Sequence, residues 1–499
     1  MKKINVIALI LLLLLSSAHA NASRLLIKNV SIISPERGAI LEHQNVLIED
    51  GRITSIGSNA DGADVASRDI VLDATGKYLI PGLIDSHVHL SGVPGMLPFH
   101  EAKYPNVANQ ATLQIPRSYL YFGFTTVNDL FSSQETIDQW NQQELSPDAY
   151  FCSGVPLANG YPMAFIPKKD RFNSGAAEYF LYDERQKDDI PPTVDPADHA
   201  PETIVRKIGA AGASCIKAYY ERGFGHLRNL PNPTVNMVRE LVNRAHQVGL
   251  PVFMHGNTQE SHAFAVDAGV DVIAHGMWHW NDKDGSEISK EIESLIDSIV
   301  SKGIGYQPTI QVIYGEQEMF NTSFFNDPMF LHSAPKALID WYGSEEGGWM
   351  REKIAANLIV GKRELGYEEV KESYALPIRR AMRVLKQLAD KDATLLFGSD
   401  TPSGPIFTQY HGMNGRLEMQ RWVEAGVSLK KLFLALTIDN ADTLGLADEI
   451  GTIEQGKTAN LLLLNSNPLK SIKAYDDIDF VILNGKLIKR KTLSATYAN

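Results

Sequence analysis

Between residues 81 and 446 short apolar runs alternate with helical stretches, and this alternation narrows the fold more than any other feature of the chain. The clearest instance begins at residue 233. Val235, Val238, Leu241, Val242, Ala245 and Val248 recur at helical spacing, Pro233 stands near the start and Gly249 follows the end, so one bounded helix is predicted. The apolar run PVFMHG comes next, then a second helical stretch over 260–268 closed by Gly269, then VDVIAHG. A strand, a helix and a second strand in that order form a crossover unit of a parallel sheet. Repetition of the unit predicts the α/β class and a (β/α)8 TIM barrel over 81–446, with an open α/β sheet as the alternative.

The ends of the chain read differently. RLLIKNVSIIS and NVLIEDGRITSIGS are β-type runs, and Asp50-Gly51 between two such runs is a hairpin signal, as is Asn484-Gly485 near the other end. Residues 21–80 and 447–499 are therefore expected to build one small β-sandwich domain together. The aromatic-rich, mostly helical stretch at about 312–391 is far longer than an ordinary connection in such folds. It is read as an insertion capping the active-site face.

Met1-Lys2-Lys3, an apolar run from Val6 to Leu15 and the small residues ending at Ala20 form a secretory signal pattern over 1–20. The run falls well short of the roughly 20 residues needed to span a bilayer. A periplasmic or secreted protein without a membrane anchor is expected after cleavage. The formal net charge of −12, more negative still without Lys2 and Lys3, offers no basic footprint for nucleic acid. Two cysteines, Cys152 and Cys215, are too few for a disulfide framework or a thiolate zinc cluster. They fall in neighbouring predicted strands, where buried free thiols are preferred over a single bridge.

Residues able to do chemistry collect at the downstream ends of the apolar runs. His87-Val88-His89 closes YLIPGLIDSHVH, and residues i and i+2 of a strand share a face, so both imidazoles can reach one ion. Lys217 in SCIKAYY, His255 in PVFMHG, His275 in DVIAHG and Asp400 in TLLFGSD close four further runs. In a parallel barrel these ends meet at one mouth. Each residue alone has an ordinary structural explanation; the whole ordered set predicts a metal site. Tyr219 shares the face of Lys217 and is a candidate for binding a substrate carboxylate or an oxyanion. Trp278 and His279, beyond His275, are candidate pocket residues, and His411 in QYHGMNGRLEM is a candidate partner for Asp400. His246 and His262, inside predicted helices, read as bystanders.

With these residues the chain resembles the amidohydrolase superfamily, specifically its imidazolonepropionase-like branch and metal-dependent prolidases. The resemblance runs from about residue 24 to residue 490. It rests on PGLIDSHVH, GFTTVND at 123–129, the lysine and histidine strands, GSDTP at 398–402 and the closing GTIEQGKTANLLLL. It implies that His87, His89 and Asp400 hold a more buried metal, His255 and His275 a more exposed one, and that Lys217 bridges them as an N6-carboxylated lysine. Two divalent ions are thus expected, zinc by default, with manganese, iron or cobalt fitting the same donors. A hydroxide shared by the ions, with Asp400 as general base, would hydrolyse a C–N amide bond. Asn460 and Asn128 depart from the family pattern, where aspartate and arginine are usual, and the long insertion sets the pocket roof apart.

The expected substrate is a dipeptide or an N-acyl amino acid. A cyclic amide, lactone or phosphotriester is the enzymatic alternative, since one hydroxide attacks all of these. A non-catalytic metal- or ligand-binding protein is the remote one, disfavoured because mere binding needs no proton carrier such as Asp400. Homo-oligomerisation is left open by the sequence.

Overall fold

The computed structural model describes residues 24–497, except 59, 61–68, 176–177, 225–226, 322, 358 and 361–362. The leader expected at 1–20 lies outside the described residues. Seventeen strands are described. In chain order the first six are β1 (Leu25–Ile32), β2 (Leu41–Glu49), β3 (Arg52–Gly57), β4 (Ile70–Asp73), β5 (Tyr78–Pro81) and β6 (Leu83–Val88). Then come β7 (Phe124–Asp129), β8 (Asp148–Val155), β9 (Cys215–Tyr219), β10 (Val252–His255), β11 (Val272–Ala274) and β12 (Gly305–Gln307). The last five are β13 (Ile359–Val360), β14 (Arg363–Glu364), β15 (Leu461–Leu464), β16 (Ile478–Leu483) and β17 (Lys486–Lys489).

Both termini supply one eight-stranded sheet in the order β17-β16-β15-β5-β1-β2-β3, with β4 also paired to β1. Its hairpins turn at Asp50-Gly51 and Asn484-Gly485, and all four residues have positive φ. That backbone suits Asp, Asn and above all Gly. The two turns also touch: a Cβ on Gly485 would come within 2.8 Å of the Gly51 backbone. Strand period explains the run Leu461–Leu464, which carries no polar residue. Leu461 and Leu463 enter the sheet's own core with Leu79 and Ile482. Leu462 and Leu464 enter the large barrel core with Ile80 and Val481, so both faces of the strand are buried. Asn460 donates to Asp148 at 2.7 Å while its oxygen accepts from the Asn484 N–H at 2.7 Å. An aspartate there would set its carboxylate against Asp148.

Strands β6 to β12 are parallel and adjacent in sequence order. The segment 394–401 closes the ring. On one side Tyr306 N–H donates to Thr394 and Leu396 N–H to Tyr306, each at 3.0 Å. On the other, Asp400 N–H donates to His87 at 2.7 Å and His89 N–H to Thr401 at 2.8 Å. The helices between the strands bury one apolar stripe each. Val235–Gln247, capped by Thr234, buries Val238, Leu241, Val242 and Ala245, and Gln259–Ala268 stops at Gly269 with φ 77°.

Inside the barrel Cys152 and Cys215 are register partners on β8 and β9, and they are joined by a disulfide. This corrects the expectation of free thiols: facing positions on adjacent strands bring the Cα atoms to 4.4 Å, within bonding geometry. After β12 the chain leaves the barrel through the helices Gln311–Glu318, Pro328–Ser333, Lys336–Tyr342, Trp349–Asn357 and Tyr367–Ser373 before Ala375–Asp390 leads back to the closing segment. The Trp349 indole donates to the Gly95 carbonyl at 2.9 Å, and the Tyr342 hydroxyl donates to that of Pro94. These bonds tie the helical segment to the loop that follows β6.

Candidate metal centre

Six side chains from five strand ends converge beneath this helical segment. His87 lies on β6 and His89 just after it, Lys217 on β9, His255 ends β10, His275 follows β11 and Asp400 lies in the closing segment. All but His89 are buried. His275 and Asp400 have φ of 94° and 53°, a region costly for residues with a Cβ and most often kept where function over-determines it. Asp400 Oδ1 lies 3.2 Å from His87 Nε2 and 3.1 Å from His89 Nε2, and Oδ2 lies 3.6 Å from His275 Nδ1. The His255 and His275 rings are 4.5 Å apart.

One ligand atom each from His87, His275 and Asp400 falls within 4.8 Å of the others, which suits a single cation. This trio differs from the grouping implied by the resemblance, in which His275 pairs with His255. His89 lies between Asp400 and Asp129, with Nδ1 3.5 Å from Asp129 Oδ1. Lys217 Nζ is buried without a hydrogen-bond partner in the middle of the set. A buried amine without a partner calls for a further group at the site, and the surrounding imidazole and carboxylate donors fit a divalent metal.

The electrostatics agree with that chemistry. Burial and the neighbouring Lys217 charge push the His87 imidazole down to about 3. Burial likewise lowers His255 and His275. Burial would raise Asp400, yet the imidazoles of His87, His89 and His275 outweigh it and keep the carboxyl well below its usual range. Burial would also lower His89, but Asp129 and Asp400 raise it to about 9. Burial brings Lys217 down to about 7, against the pull of Asp400.

Further polar groups orient the ligands. Asp129 holds His89 while accepting the Leu90 and Phe131 N–H groups at 2.8 and 2.9 Å. Glu221 Oε2 lies 3.4 Å from His255 Nε2 and accepts from Asn257 at 3.0 Å. Thr309 Oγ1 is 3.0 Å from His275 Nδ1. Asp85 accepts the Ser399 N–H and hydroxyl at 2.9 and 2.6 Å, fixing the backbone just before Asp400. Sequence reasoning missed these four. Asp129 ends the run FTTVND as the chosen ligands end theirs, so the same rule would have found it; Thr309 and Glu221 carry no such signal.

The set opens into a cavity of about 420 Å³. Tyr219 and Trp278 line it as predicted candidates, and Tyr161, which the sequence did not single out, stacks on His255 at 4.6 Å. Two candidates fall elsewhere. His279 is exposed and outside the lining, because its backbone is drawn aside to pair with Asn257 and Gln259. His411 meets the His89 carbonyl at 3.2 Å and the Tyr119 ring in place of Asp400. His262 is held by the Thr258 carbonyl and the Tyr306 hydroxyl, and His246 pairs with Asp271 away from the site.

The model of the amidohydrolase family matches residues 356–488, which include Asp400 and the return to the terminal sheet. The match is confined to that segment, which is therefore similar to the amidohydrolase family. Curated proteins similar to part of the chain include a dihydroorotase of Pelotomaculum thermopropionicum, 45% identical over 67 residues, and a D-hydantoinase of Streptomyces coelicolor, 31% identical over 106. These matches span 13% and 20% of the chain and only 14% and 21% of those proteins. Solved structures match far more of the length. A prolidase complexed with N-methylphosphonate-L-proline has a TM-score of 0.64 at 20% identity, covering 94% of this chain and 100% of that one. A Xaa-Pro dipeptidase with bound methionine has 0.61 at 21%, covering 94% and 100%, and ochratoxinase of A. niger 0.61 at 20%, covering 94% and 96%. Identities this low speak for the shared barrel fold.

Proposed function

We propose that this protein is a member of the amidohydrolase superfamily, an exported, metal-dependent hydrolase that cleaves the C–N amide bond of a dipeptide or an N-acyl amino acid. One observation carries the reading: His87, His89, Lys217, His255, His275 and Asp400 converge at the floor of one cavity. The fold shared with proteins described as prolidases supports the choice of amide. The disulfide supports an oxidising compartment, in keeping with the leader read at 1–20.

The imidazoles and Asp400 would hold divalent ions, zinc by default. Bound there, such ions would acidify a water and polarise the amide carbonyl. Lys217 would offer such ions a further anionic donor by chemistry of its own. With the amine lowered to about 7, a large share is unprotonated at neutral pH. Its lone pair can form an N–C bond to carbon dioxide, and the nitrogen releases a proton. The product is an anionic carbamate with two donor oxygens where an ammonium had none. Asp400, kept ionised, accepts the proton of the attacking water and passes it to the departing nitrogen. Burial keeps the Tyr219 and Tyr161 phenols protonated, so each can donate to an oxyanion or a substrate carboxylate. Phe131, Phe165, Phe224 and Trp278 give the chamber an apolar wall.

The test is metal content of the purified protein measured alongside hydrolysis of a dipeptide and N-acyl amino acid library. About two metals per chain with turnover of library members is the expected result. Two metals and a silent library would overturn the substrate assignment and point to cyclic amides, lactones or phosphotriesters. One metal per chain would overturn the bridging role of Lys217.

A further inference from the structure

We propose that Glu316 sets the selectivity of the pocket by receiving a cationic group, an ammonium or guanidinium, of the amide substrate. The inference rests on the hydrolase reading for its chemistry, and on observations away from the ligand set for its specificity. Glu316 belongs to the helix Gln311–Glu318 in the roof and lines the same cavity as Lys217, His275 and Asp400. Apart from that ligand set it is the charged residue of the lining, facing a chamber walled by Phe131, Phe165, Phe224, Val312, Met350 and Ile406.

Its partner is the Tyr374 phenol, and among the described residues no lysine or arginine pairs with it. Burial accordingly pushes its carboxyl up to about 7 against the Tyr374 hydrogen bond. A carboxylate placed in an apolar chamber without a counter-ion costs stability unless something that enters the chamber repays it. The residue is also held in place. The Val312 carbonyl accepts from Gln409 Nε2 at 3.1 Å, the Gly315 carbonyl accepts from Thr408, and the Gln311 N–H donates to Glu418 at 2.6 Å. Glu316 therefore stands at a fixed site in the same cavity lining as the ligand set, where an incoming cation would gain an ion pair in a partly buried setting. A substrate carboxylate at the same position would be repelled.

Two matched pairs separate the sources of the cation. Glycyl-leucine against N-acetyl-leucine varies the α-ammonium; N-acetyl-lysine against N-acetyl-norleucine varies a side-chain ammonium. Each is assayed for kcat/KM and titrated calorimetrically with the metal-loaded wild-type protein and with Glu316→Gln. The wild type should favour the cationic member of one pair, and Glu316→Gln should lower that cationic-to-neutral ratio by about thirtyfold or more. Glu316→Lys should reverse the order, favouring N-acetyl-glutamate over N-acetyl-lysine, an outcome that a merely misfolded variant would not produce. Equal losses on both members of each pair, or no preference in the wild type, would overturn the proposal. Cation-selective binding without turnover would leave it standing and overturn the hydrolase reading; no binding and no turnover of all four compounds would overturn both.

Discussion

An ammonium has no lone pair to offer a cation, so Lys217 can serve a metal centre only after losing its proton. Its burial beside Asp400, with no hydrogen-bond partner, makes that loss attainable at neutral pH. Lys217→Ala is expected to lower bound metal and activity together, and partial rescue by short-chain carboxylic acids would identify the missing group as an anionic bridge. A variant that keeps two metals and full turnover would exclude it. Asp129 acts through His89. Asp129→Asn removes the charge that orients this ring, and metal affinity should fall by about 10- to 100-fold, read by competition with a chromophoric chelator; unchanged affinity would make Asp129 merely a support for the Leu90 and Phe131 amides. The six candidate ligands, which the fold brings to one cavity, were legible because each ends an apolar run, a one-dimensional signal of strand ends. Glu221, Thr309 and Tyr161 were not, because they reach the site from loops whose paths depend on tertiary contacts. His279 misled for the same reason: adjacency to Trp278 in sequence does not survive the backbone pairing that turns it outward.

Elements carry the pocket as much as single residues do. The roof helix Gln311–Glu318 lacks a side-chain cap on its first residue, and Glu418 from Met413–Glu424 takes that role, accepting Gln311 N–H at 2.6 Å and the Trp422 indole at 2.8 Å. Glu418 is fully buried, and its carboxyl is pushed by that burial from the ordinary 4.5 up to about 7. The folded state therefore binds the proton more tightly than the unfolded chain. This contribution is fully present below about pH 4.5 and is lost as pH rises through about 7. The loss is on the order of 3 kcal/mol. Glu418→Gln fixes a neutral group, so chemical denaturation across this window should show a flatter dependence of stability on pH than the wild type; an identical slope would mean that Glu418 does not titrate there. The strand–helix alternation was legible from apolar period alone, down to the stop of Gln259–Ala268 at Gly269. The closing segment 394–401 was legible by its apolar content. A buried carboxylate capping a roof helix from a helix about a hundred residues later has no local signature.

For the whole molecule, the disulfide ties the barrel's construction to the redox state in which the chain folds. It joins β8 to β9 two residues before Lys217 and closes a separation of 63 residues, a cross-link worth about 4 kcal/mol by loop entropy. The two cysteines were visible in the sequence and their strands were expected to be neighbours. What the sequence could not supply was register, and register decides the matter, because a shift of one residue would turn one sulfur out of the barrel. The bond forms only where thiols are oxidised, so the leader and the bridge make one joint prediction. Protein produced with residues 1–20 and recovered from an oxidising compartment should begin at Asn21 and titrate no thiol in denaturant, whereas the leaderless chain made in a reducing cytoplasm should titrate both Cys152 and Cys215. The oxidised form should also unfold at the higher temperature, and the difference should vanish in a Cys152→Ser, Cys215→Ser variant. If the exported chain instead shows two free thiols, the bridge is not part of the working protein, and the case for export loses its structural support. If the leaderless chain is already bridged, the bond forms without export and the compartment cannot be inferred from it.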